Sequence, residues 1–204
     1  MITVLDYGVG NLTSIKNMLR KAGVEALITG DSTDVSGATS IILPGMGHFD
    51  NCMIRFNESG LRPLVENLVH EKKIPVLGIC VGLQMFMESS EEGKQPGLGW
   101  IKGRTIRFNE ARMQEQQKIP NMGWQEINAS KPSKLLEQLD RSRFYFAHSY
   151  HVQPEINEDV LLTCHYGYDF VAAIERDNIV GVQFHPEKSH RFGMQLLKNF
   201  SLNY

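Results

Sequence analysis

Short apolar runs alternate with segments of helical periodicity through the first half of the chain, and this alternation constrains the fold more than any other feature. The apolar runs lie at residues 2–5, 24–28, 40–43 and 75–79. Strands separated by helices of this length run parallel, and helices then cover both faces of the sheet that the strands form. The alternation therefore predicts an α/β fold, with an open, mostly parallel sheet and helices on both of its faces.

The second half of the chain predicts a different kind of strand. Its strand-like segments follow one another with few helices between them, at residues 98–108, 124–127, 144–150, 160–165, 170–174 and 179–184. Strands joined by short connections pair antiparallel, so we expect antiparallel strands added to the parallel core. Residues 81–87 and 189–200 predict helices. Because no shift in composition marks a linker, we expect residues 1–204 to form a single domain.

Composition and charge exclude several classes of protein. The 204 residues carry 21 Lys and Arg against 23 Asp and Glu, and a net charge near zero argues against nucleic acid or an anionic membrane as the main partner. The uncharged runs fall short of the roughly 18 to 20 apolar residues of a transmembrane helix, and the N-terminus lacks the basic start of a signal peptide. Three widely spaced cysteines match neither a disulfide framework nor a metal site. We expect a reduced, cytoplasmic protein.

Residues 78–82, Gly-Ile-Cys-Val-Gly, are the sharpest signal of chemistry. They join a predicted strand to a predicted helix and match the G-x-nucleophile-x-G elbow, with Cys80 as the nucleophile. Glycines leave room for the sharp turn, and the start of a helix favours the thiolate form of cysteine. A free cysteine is more often a small buried residue, and we interpret Cys52 and Cys164 in that way. For Cys80 the two glycines and the flanking elements favour the nucleophile.

His185 and Glu187 are the candidates for the base and for the acid that orients it. His185 directly follows an apolar strand, and Pro186 separates it from Glu187. The two-residue period of a strand places both side chains on the same side of the chain, so the imidazole can hold the carboxylate on one nitrogen and face the thiol with the other. A solvated histidine at the end of a strand is an equally good interpretation of His-Pro-Glu alone. The cysteine elbow favours the catalytic one.

Acyl transfer also needs donors for an oxyanion. The elbow supplies one, the backbone N–H of Val81 at the start of the helix. A second must come from another loop, and Pro44-Gly45-Met46-Gly47 follows a strand that we expect to lie near the elbow strand. Its glycines permit backbone conformations that aim an N–H at a ligand, although a plain loop after a strand is a fair alternative.

Three of these segments, taken together, resemble the class I, triad-type glutamine amidotransferases. They are PGMGHF (44–49), GICVGLQ (78–84) and VGVQFHPE (180–187). Four further segments are similar to the glutaminase subunits of imidazole glycerol phosphate synthases within that family: DYGVGNLTSI (6–15), PNMGWQ (120–125), FAHSY (146–150) and FHPEKSH (184–190). The resemblance spans nearly the whole chain and implies the flavodoxin-like core of the family.

The resemblance also implies a role for each matching position. Cys80 would attack the side-chain amide of L-glutamine, His185 would shuttle the proton and Glu187 would orient His185; Gly47 and Val81 match the oxyanion loops. Residues matching substrate contacts are Gln84, Ser149 and Tyr150. Residues matching the interface with a partner are Asn11, Trp124, Tyr145 and Lys188. That partner is a (β/α)₈-barrel cyclase, which forms a heterodimer with the glutaminase and uses its ammonia to make imidazole glycerol phosphate and AICAR in histidine biosynthesis. No cofactor and no metal are implied.

Three alternatives stay open on the sequence alone. Similar chains supply ammonia for the amidation of sugars, with the same glutaminase chemistry. A cysteine hydrolase of the α/β-hydrolase type would take its acid from between Cys80 and His185, and the available residues are Asp140, Asp159, Asp169 and Asp177. A non-catalytic interaction module would keep the shape without the chemistry, although the intact Cys80, His185 and Glu187 argue against it.

Overall fold

The first half of the chain folds as alternating strands and helices. The computed structural model describes residues 1–140 and 142–204. The elements of the first half are β1 (Ile2–Leu5), α1 (Leu12–Lys21), β2 (Ala26–Thr29), α2 (Ser32–Ser36), β3 (Ser40–Gly45), α3 (Phe49–Glu58), α4 (Arg62–His70), β4 (Val76–Cys80) and α5 (Val81–Gln84). β2 begins two residues later than the apolar run that predicted it.

The second half is rich in strands and closes with one long helix. Its elements are β5 (Ser89–Ser90), β6 (Gly103–Arg107), β7 (Asn121–Ala129), β8 (Arg143–His148), β9 (Tyr150–Pro154), β10 (Val160–Tyr166), β11 (Tyr168–Arg176), β12 (Ile179–Val182) and α6 (His190–Asn203). Short 3₁₀ turns, among them residues 186–188, connect several of them.

The strands of the described residues join in one mixed sheet. Its main path runs β2-β1-β3-β4-β12-β11-β10-β7-β8, and β9 links β5 and β6 to β11. The first five strands of that path are parallel, whereas β12, β11, β10, β7 and β8 pair antiparallel in succession. The predicted α/β class, a mostly parallel core with antiparallel strands added from the second half, is confirmed.

The position of β4 explains its composition. All five of its residues are buried, and it lies between β3 and β12, which are parallel to it. A parallel strand covered on both faces needs apolar or small residues at every position, so its sequence does not alternate. The helices also bury apolar residues: Ile15 and Leu19 on α1, Val65 and Leu68 on α4, and Leu196, Leu197 and Phe200 on α6. The elbow therefore begins at the end of a buried strand that is paired on both sides.

The predicted end of the helix after the elbow and the predicted start of the next strand are both wrong, and one set of backbone hydrogen bonds explains why. The helix after the elbow ends at Gln84 instead of residue 87, and the strand expected from residue 98 begins at Gly103. The N–H groups of residues 98, 99 and 101 donate to the carbonyls of residues 85, 87 and 86, at 2.8, 3.1 and 3.0 Å. The backbone groups of these two segments therefore form hydrogen bonds with each other across a loop. Local sequence patterns do not reveal such a contact.

Two further differences concern the second half and α3. The single strand predicted over residues 144–150 is two strands, because the chain changes partners at Ser149: β8 pairs with β7, whereas β9 pairs with β6 and β11. β12 ends at Val182, two residues short of its predicted end. The helix α3 was not predicted, although Phe49, Cys52, Met53 and Phe56 bury one face of it at helical spacing.

Across the described parts of the chain, none of the helices has the length and apolar character needed to cross a membrane.

Candidate active site

The carboxyl ends of three adjacent strands meet at one edge of the sheet. Gly45, the last residue of β3, is in register with Cys80, the last residue of β4, and Val182 at the end of β12 is in register with Ile79. Loops that leave these ends therefore emerge side by side. This is the edge at which open α/β sheets bind ligands.

Cys80 occupies a backbone conformation that few non-glycine residues adopt. Its φ is 55° and its ψ is −110°, and its side chain is 4% exposed. Neighbouring glycines make the turn possible: a Cβ on Gly82 would lie 2.1 Å from the Leu43 carbonyl oxygen, and one on Gly45 would lie 2.3 Å from the Gly82 nitrogen. Strain of this kind persists where the surroundings over-determine it, and such sites are often functional.

His185 lies three residues beyond the end of β12 and faces Glu187. Its Nδ1 is 2.8 Å from Oε1 of Glu187, and the two side chains are 6% and 3% exposed. The backbone fixes the ring, because the His185 N–H donates to the Tyr145 carbonyl (2.9 Å) and the Ser189 hydroxyl donates to the His185 carbonyl (2.6 Å). With Nδ1 turned to the carboxylate, Nε2 is left for the Cys80 thiol.

The charges around His185 favour its protonated form. Burial lowers the pKa of the imidazole, but its hydrogen bonds with Cys80 and Glu187 and the charges of those two groups outweigh burial and raise the pKa to about 10. The ring therefore carries a proton at neutral pH, between the carboxylate and the sulfur. Such an imidazolium can stabilise a thiolate and later give its proton to a leaving group.

Two backbone N–H groups border the same space. Gly47 has a φ of +86°, in the left-handed region, and within residues 1–140 and 142–204 its N–H makes no hydrogen bond. Val81 is the first residue of α5, and an N–H at that position has no partner within its helix. Both residues line one cavity together with Cys80 and His185.

This cavity has a volume of about 240 Å³, which is a suitable size for one amino acid. The three residues predicted to bind substrate, Gln84, Ser149 and Tyr150, also line it. A larger depression of about 520 Å³ lies along β6 and β9, but no cysteine or histidine lines it. Chemistry, more than volume, therefore identifies the smaller cavity as the candidate site.

Gln183 and Glu92 belong to this site, although the sequence analysis did not find them. The Gln183 amide donates toward the Cys80 sulfur at 3.7 Å, and its Oε1 accepts from the Gln84 amide at 3.2 Å. Gln84 also donates to the Tyr150 carbonyl at 3.1 Å. Glu92 lines the cavity, and one of its oxygens accepts from a backbone N–H of α3. An amide inside an apolar run, as at residues 179–184, is the signal that could have identified Gln183, because a buried amide needs partners.

His148 is a buried neutral histidine at the side of the cavity. Its Nδ1 lies 2.7 Å from the Tyr150 carbonyl oxygen and its Nε2 lies 3.4 Å from the Asn121 amide nitrogen. Burial lowers its pKa to about 3, although the bond to Tyr150 opposes that change. The ring therefore donates from Nδ1 and supports the backbone of the segment that carries Ser149 and Tyr150.

Three of the four residues expected at a partner interface lie in one aromatic and cationic patch at the surface, to which the structure adds His190; Tyr145 is its half-buried member. Trp124 is 37% exposed, and its ring stacks on the His190 imidazole with centroids 5.4 Å apart. Trp124 meets Tyr145 edge-on at 6.2 Å, and Nζ of Lys188 lies 5.8 Å from the centre of the Tyr145 ring. We call Trp124, Tyr145, Lys188 and His190 the interface patch.

Asn11 lies apart from these four side chains but at the same edge of the sheet. It follows β1, whose carboxyl end lies beside that of β3, and its side chain accepts from the Ser14 N–H at 3.3 Å. It thereby caps α1, and α1 packs against the turn at residues 186–188. The structure thus brings Asn11 to the side of the molecule that carries Lys188.

The other cysteines and the four aspartates are placed elsewhere. Cys164 is buried in β10, where burial raises the pKa of its thiol to about 12, and Cys52 is buried in α3. Asp159 pairs with Arg176, Asp169 pairs with His165 at the surface, and Asp140 and Asp177 are exposed. The acid in contact with His185 is therefore Glu187, which disfavours the α/β-hydrolase alternative. In the part of the chain that the structure describes, no three His, Cys, Asp or Glu side chains cluster as metal ligands would.

Comparisons with known proteins point in the same direction as this geometry. The family model described as "Glutamine amidotransferase class-I" matches residues 3–204. The imidazole glycerol phosphate synthase subunit HisH of Leptospira borgpetersenii is 46% identical over 202 residues, which cover 98% of this chain and 99% of the relative. Subunit HisH 2 of the same synthase from Methanococcus maripaludis is 47% identical over 201 residues, 98% of each chain. A solved structure of a glutamine amidotransferase aligns with a TM-score of 0.72 at 19% identity, over 96% of this chain and 98% of that one, a likeness that bears on the fold.

Proposed function

The chain belongs to the class-I glutamine amidotransferase family, and from that premise we propose that residues 1–204 form one glutaminase domain that serves as the glutaminase subunit of an imidazole glycerol phosphate synthase. It hydrolyses glutamine to glutamate and supplies ammonia for histidine biosynthesis. The observation that carries the proposal is that Cys80 and His185 line one cavity with Gly47 and Val81, while the Glu187 carboxylate contacts the His185 ring. The identity to HisH subunits over nearly the full chain supports the choice of synthase.

The first half of the reaction forms a thioester. The Cys80 sulfur attacks the side-chain amide carbon of glutamine, a C–S bond forms and the carbonyl electron pair moves onto oxygen. The N–H groups of Gly47 and Val81 donate to that oxyanion. They stabilise the developing charge because their orientation is fixed before the reaction. His185 then gives its proton to the amide nitrogen, the C–N bond breaks and ammonia leaves.

The second half of the reaction restores the enzyme. Water attacks the thioester carbon while His185 takes a proton from it, and the tetrahedral intermediate collapses to glutamate and the Cys80 thiolate. Glu187 holds the imidazole in one orientation throughout and stabilises its charge. Gln84, Ser149 and Tyr150 bind the rest of the glutamine, with Gln84 fixed by its bond to the Tyr150 carbonyl.

The fate of ammonia explains why this chain works as a subunit. In neutral water ammonia is mostly ammonium, which is not a nucleophile, so it must reach its acceptor through a dry passage. The cavity at Cys80 has no room for a large second substrate, and the sequence offers no phosphate-binding loop. The acceptor is therefore held by the partner, a (β/α)₈-barrel cyclase, which docks on the interface patch and Asn11.

Stimulation by the partner is the direct test of this assignment. We expect the isolated chain to release glutamate slowly from glutamine, and the complex with its cyclase and the cyclase's phosphorylated ligand to release it faster. Glutamate release and formation of imidazole glycerol phosphate are measured on the same samples. Equal turnover by the chain alone and by the complex would contradict the proposal, and a complex that aminates a sugar instead would identify the paralogous synthase.

Trp124→Ala is expected to weaken binding of the cyclase by about 30-fold or more. An aromatic side chain at the centre of an interface commonly contributes about 2 kcal/mol or more when truncated. Trp124 is already ordered by its stacking on His190 and the Arg143 guanidinium 5.6 Å from its ring, so little side-chain entropy is lost on docking. The dissociation constant is measured by titration calorimetry.

Leu202→Ala is the matched control for this prediction. Leu202 is 69% exposed and lies in α6, twelve residues beyond His190, which places it about 18 Å along the helix from the interface patch. Its truncation removes exposed apolar surface without touching the patch. If Leu202→Ala weakens the complex as much as Trp124→Ala does, the interface lies elsewhere.

A further inference from the structure

Two buried side chains lie behind the loop that supplies the Gly47 N–H, outside the cavity. Tyr7 follows β1 and is 5% exposed, and Cys52 in α3 is fully buried. The Tyr7 ring packs edge-on against Phe56, which is also in α3, with the ring centres 5.5 Å apart. Neither takes part in the reaction described above, so their polar groups call for another explanation.

Both side chains hold backbone carbonyls of the loop. The Tyr7 hydroxyl donates to the Pro44 carbonyl, and the Cys52 thiol donates to the Met46 carbonyl, with 3.5 Å between sulfur and oxygen. Burial raises the pKa of the Cys52 thiol to about 11. The thiol therefore keeps its hydrogen at neutral pH and remains a donor.

The direction of the Met46 carbonyl fixes the direction of the next N–H. The two groups belong to the same planar trans peptide, in which C=O and N–H point in opposite directions. Because the carbonyl is turned toward α3, the Gly47 N–H is turned the other way, and Gly47 lines the cavity beside Cys80 and Val81. The φ of Gly47, +86°, is one that residues with a side chain rarely adopt, and glycine permits it.

We propose that Cys52 is a positioning residue for the glutaminase: its thiol holds the Met46–Gly47 peptide with the carbonyl away from the cavity and the Gly47 N–H aimed at the oxyanion. The inference rests on the proposed function, because it gives Cys52 a role only if an oxyanion forms at Cys80. Rotation of this one peptide would remove a donor and place a carbonyl oxygen there instead. The transition state would be less well stabilised, whereas the binding of glutamine would be nearly unchanged.

Cys52→Ala and Cys52→Ser form a matched pair for testing this role. Both remove the sulfur and shrink the side chain, but serine keeps a hydroxyl that can donate to the Met46 carbonyl. For the complex with the cyclase, we expect Cys52→Ala to lower kcat for glutamine by about tenfold or more, within the 10²- to 10³-fold limit for losing one oxyanion donor. KM should stay within about twofold, and Cys52→Ser should recover at least about half of the parent kcat.

The orientation of the peptide is measured separately by NMR on the full chain. With [1-¹³C]Met and [¹⁵N]Gly, one-bond carbonyl–nitrogen pairs arise at the two Met-Gly steps of the sequence, Met46-Gly47 and Met122-Gly123. We expect Cys52→Ala to shift the first pair and leave the second unchanged, because a carbonyl resonance responds to loss of its hydrogen bond. Cys52→Ser should keep the first pair near its position in the parent.

The outcomes separate this inference from the proposed function. An equal fall of kcat in both variants would mean that Cys52 only fills space. Unchanged kcat with unchanged resonances would mean that Cys52 does not hold the Met46–Gly47 peptide. Either result overturns the inference. If the parent complex fails to hydrolyse glutamine, the proposed function is wrong, and the labelled peptide still decides whether Cys52 positions Gly47.

Discussion

Replacing Cys80 with alanine is expected to lower glutamine-dependent turnover of the complex by about 10³-fold or more, because the covalent route through a thioester is lost. The same variant should still make product from added ammonium salts at a pH that supplies free ammonia. On the proposed function the acceptor site lies on the partner, so amination there does not need the thiol. Glutamate release and product formation, measured with each nitrogen source, check both halves of the expectation.

Cys164→Ala is the control for this substitution. Cys164 is also a fully buried cysteine, but it lies in β10 outside the cavity, so the same chemical change should leave glutamate release near the parent value. Thermal unfolding of both variants separates loss of chemistry from loss of fold. Parent-level glutamate release by Cys80→Ala would favour the non-catalytic interaction module instead.

Local patterns in the sequence were sufficient to predict the position of the elbow and the class of the fold. A buried parallel strand has to be apolar throughout, and β4 shows this without a tertiary contact being known. Gly82 was predicted from the elbow pattern alone, and the structure adds a distant contact as a second reason for it, because a Cβ there would lie 2.1 Å from the Leu43 carbonyl oxygen of β3. The parallel order of β1 to β4 follows from the helices between them.

Features that depend on distant contacts were not predictable in the same way. Because of the hydrogen bonds between residues 85–87 and 98–101, α5 ends earlier and β6 begins later than predicted. The periodicity of neither segment predicts these bonds. Glu92 reaches the cavity because a backbone N–H of α3 holds its carboxylate. The contact between Cys52 and Met46 depends on how α3 packs under the loop, so the sequence alone indicates no more for Cys52 than a buried core residue.

Glu187→Gln is expected to lower kcat by about 10²-fold or more, within the range by which general acid–base catalysis contributes, and to shift the pH profile. The amide oxygen of the side chain introduced at position 187 can still accept from His185 Nδ1, so the ring keeps its orientation. The negative charge beside the ring is lost. That charge helps to raise the pKa of His185 to about 10. Without it the imidazolium is less stable, its pKa falls and the proton is lost at lower pH.

The alkaline limb of kcat/KM for glutamine should therefore move to lower pH in Glu187→Gln, since a more weakly held proton is titrated away earlier as the pH rises. Profiles measured on the complex from neutral to alkaline pH check this direction. Glu71→Gln makes the same charge change at an exposed position beyond α4, and its profile should match the parent. A limb that stays in place in Glu187→Gln, or moves to higher pH, would mean that Glu187 orients the imidazole without stabilising its charge.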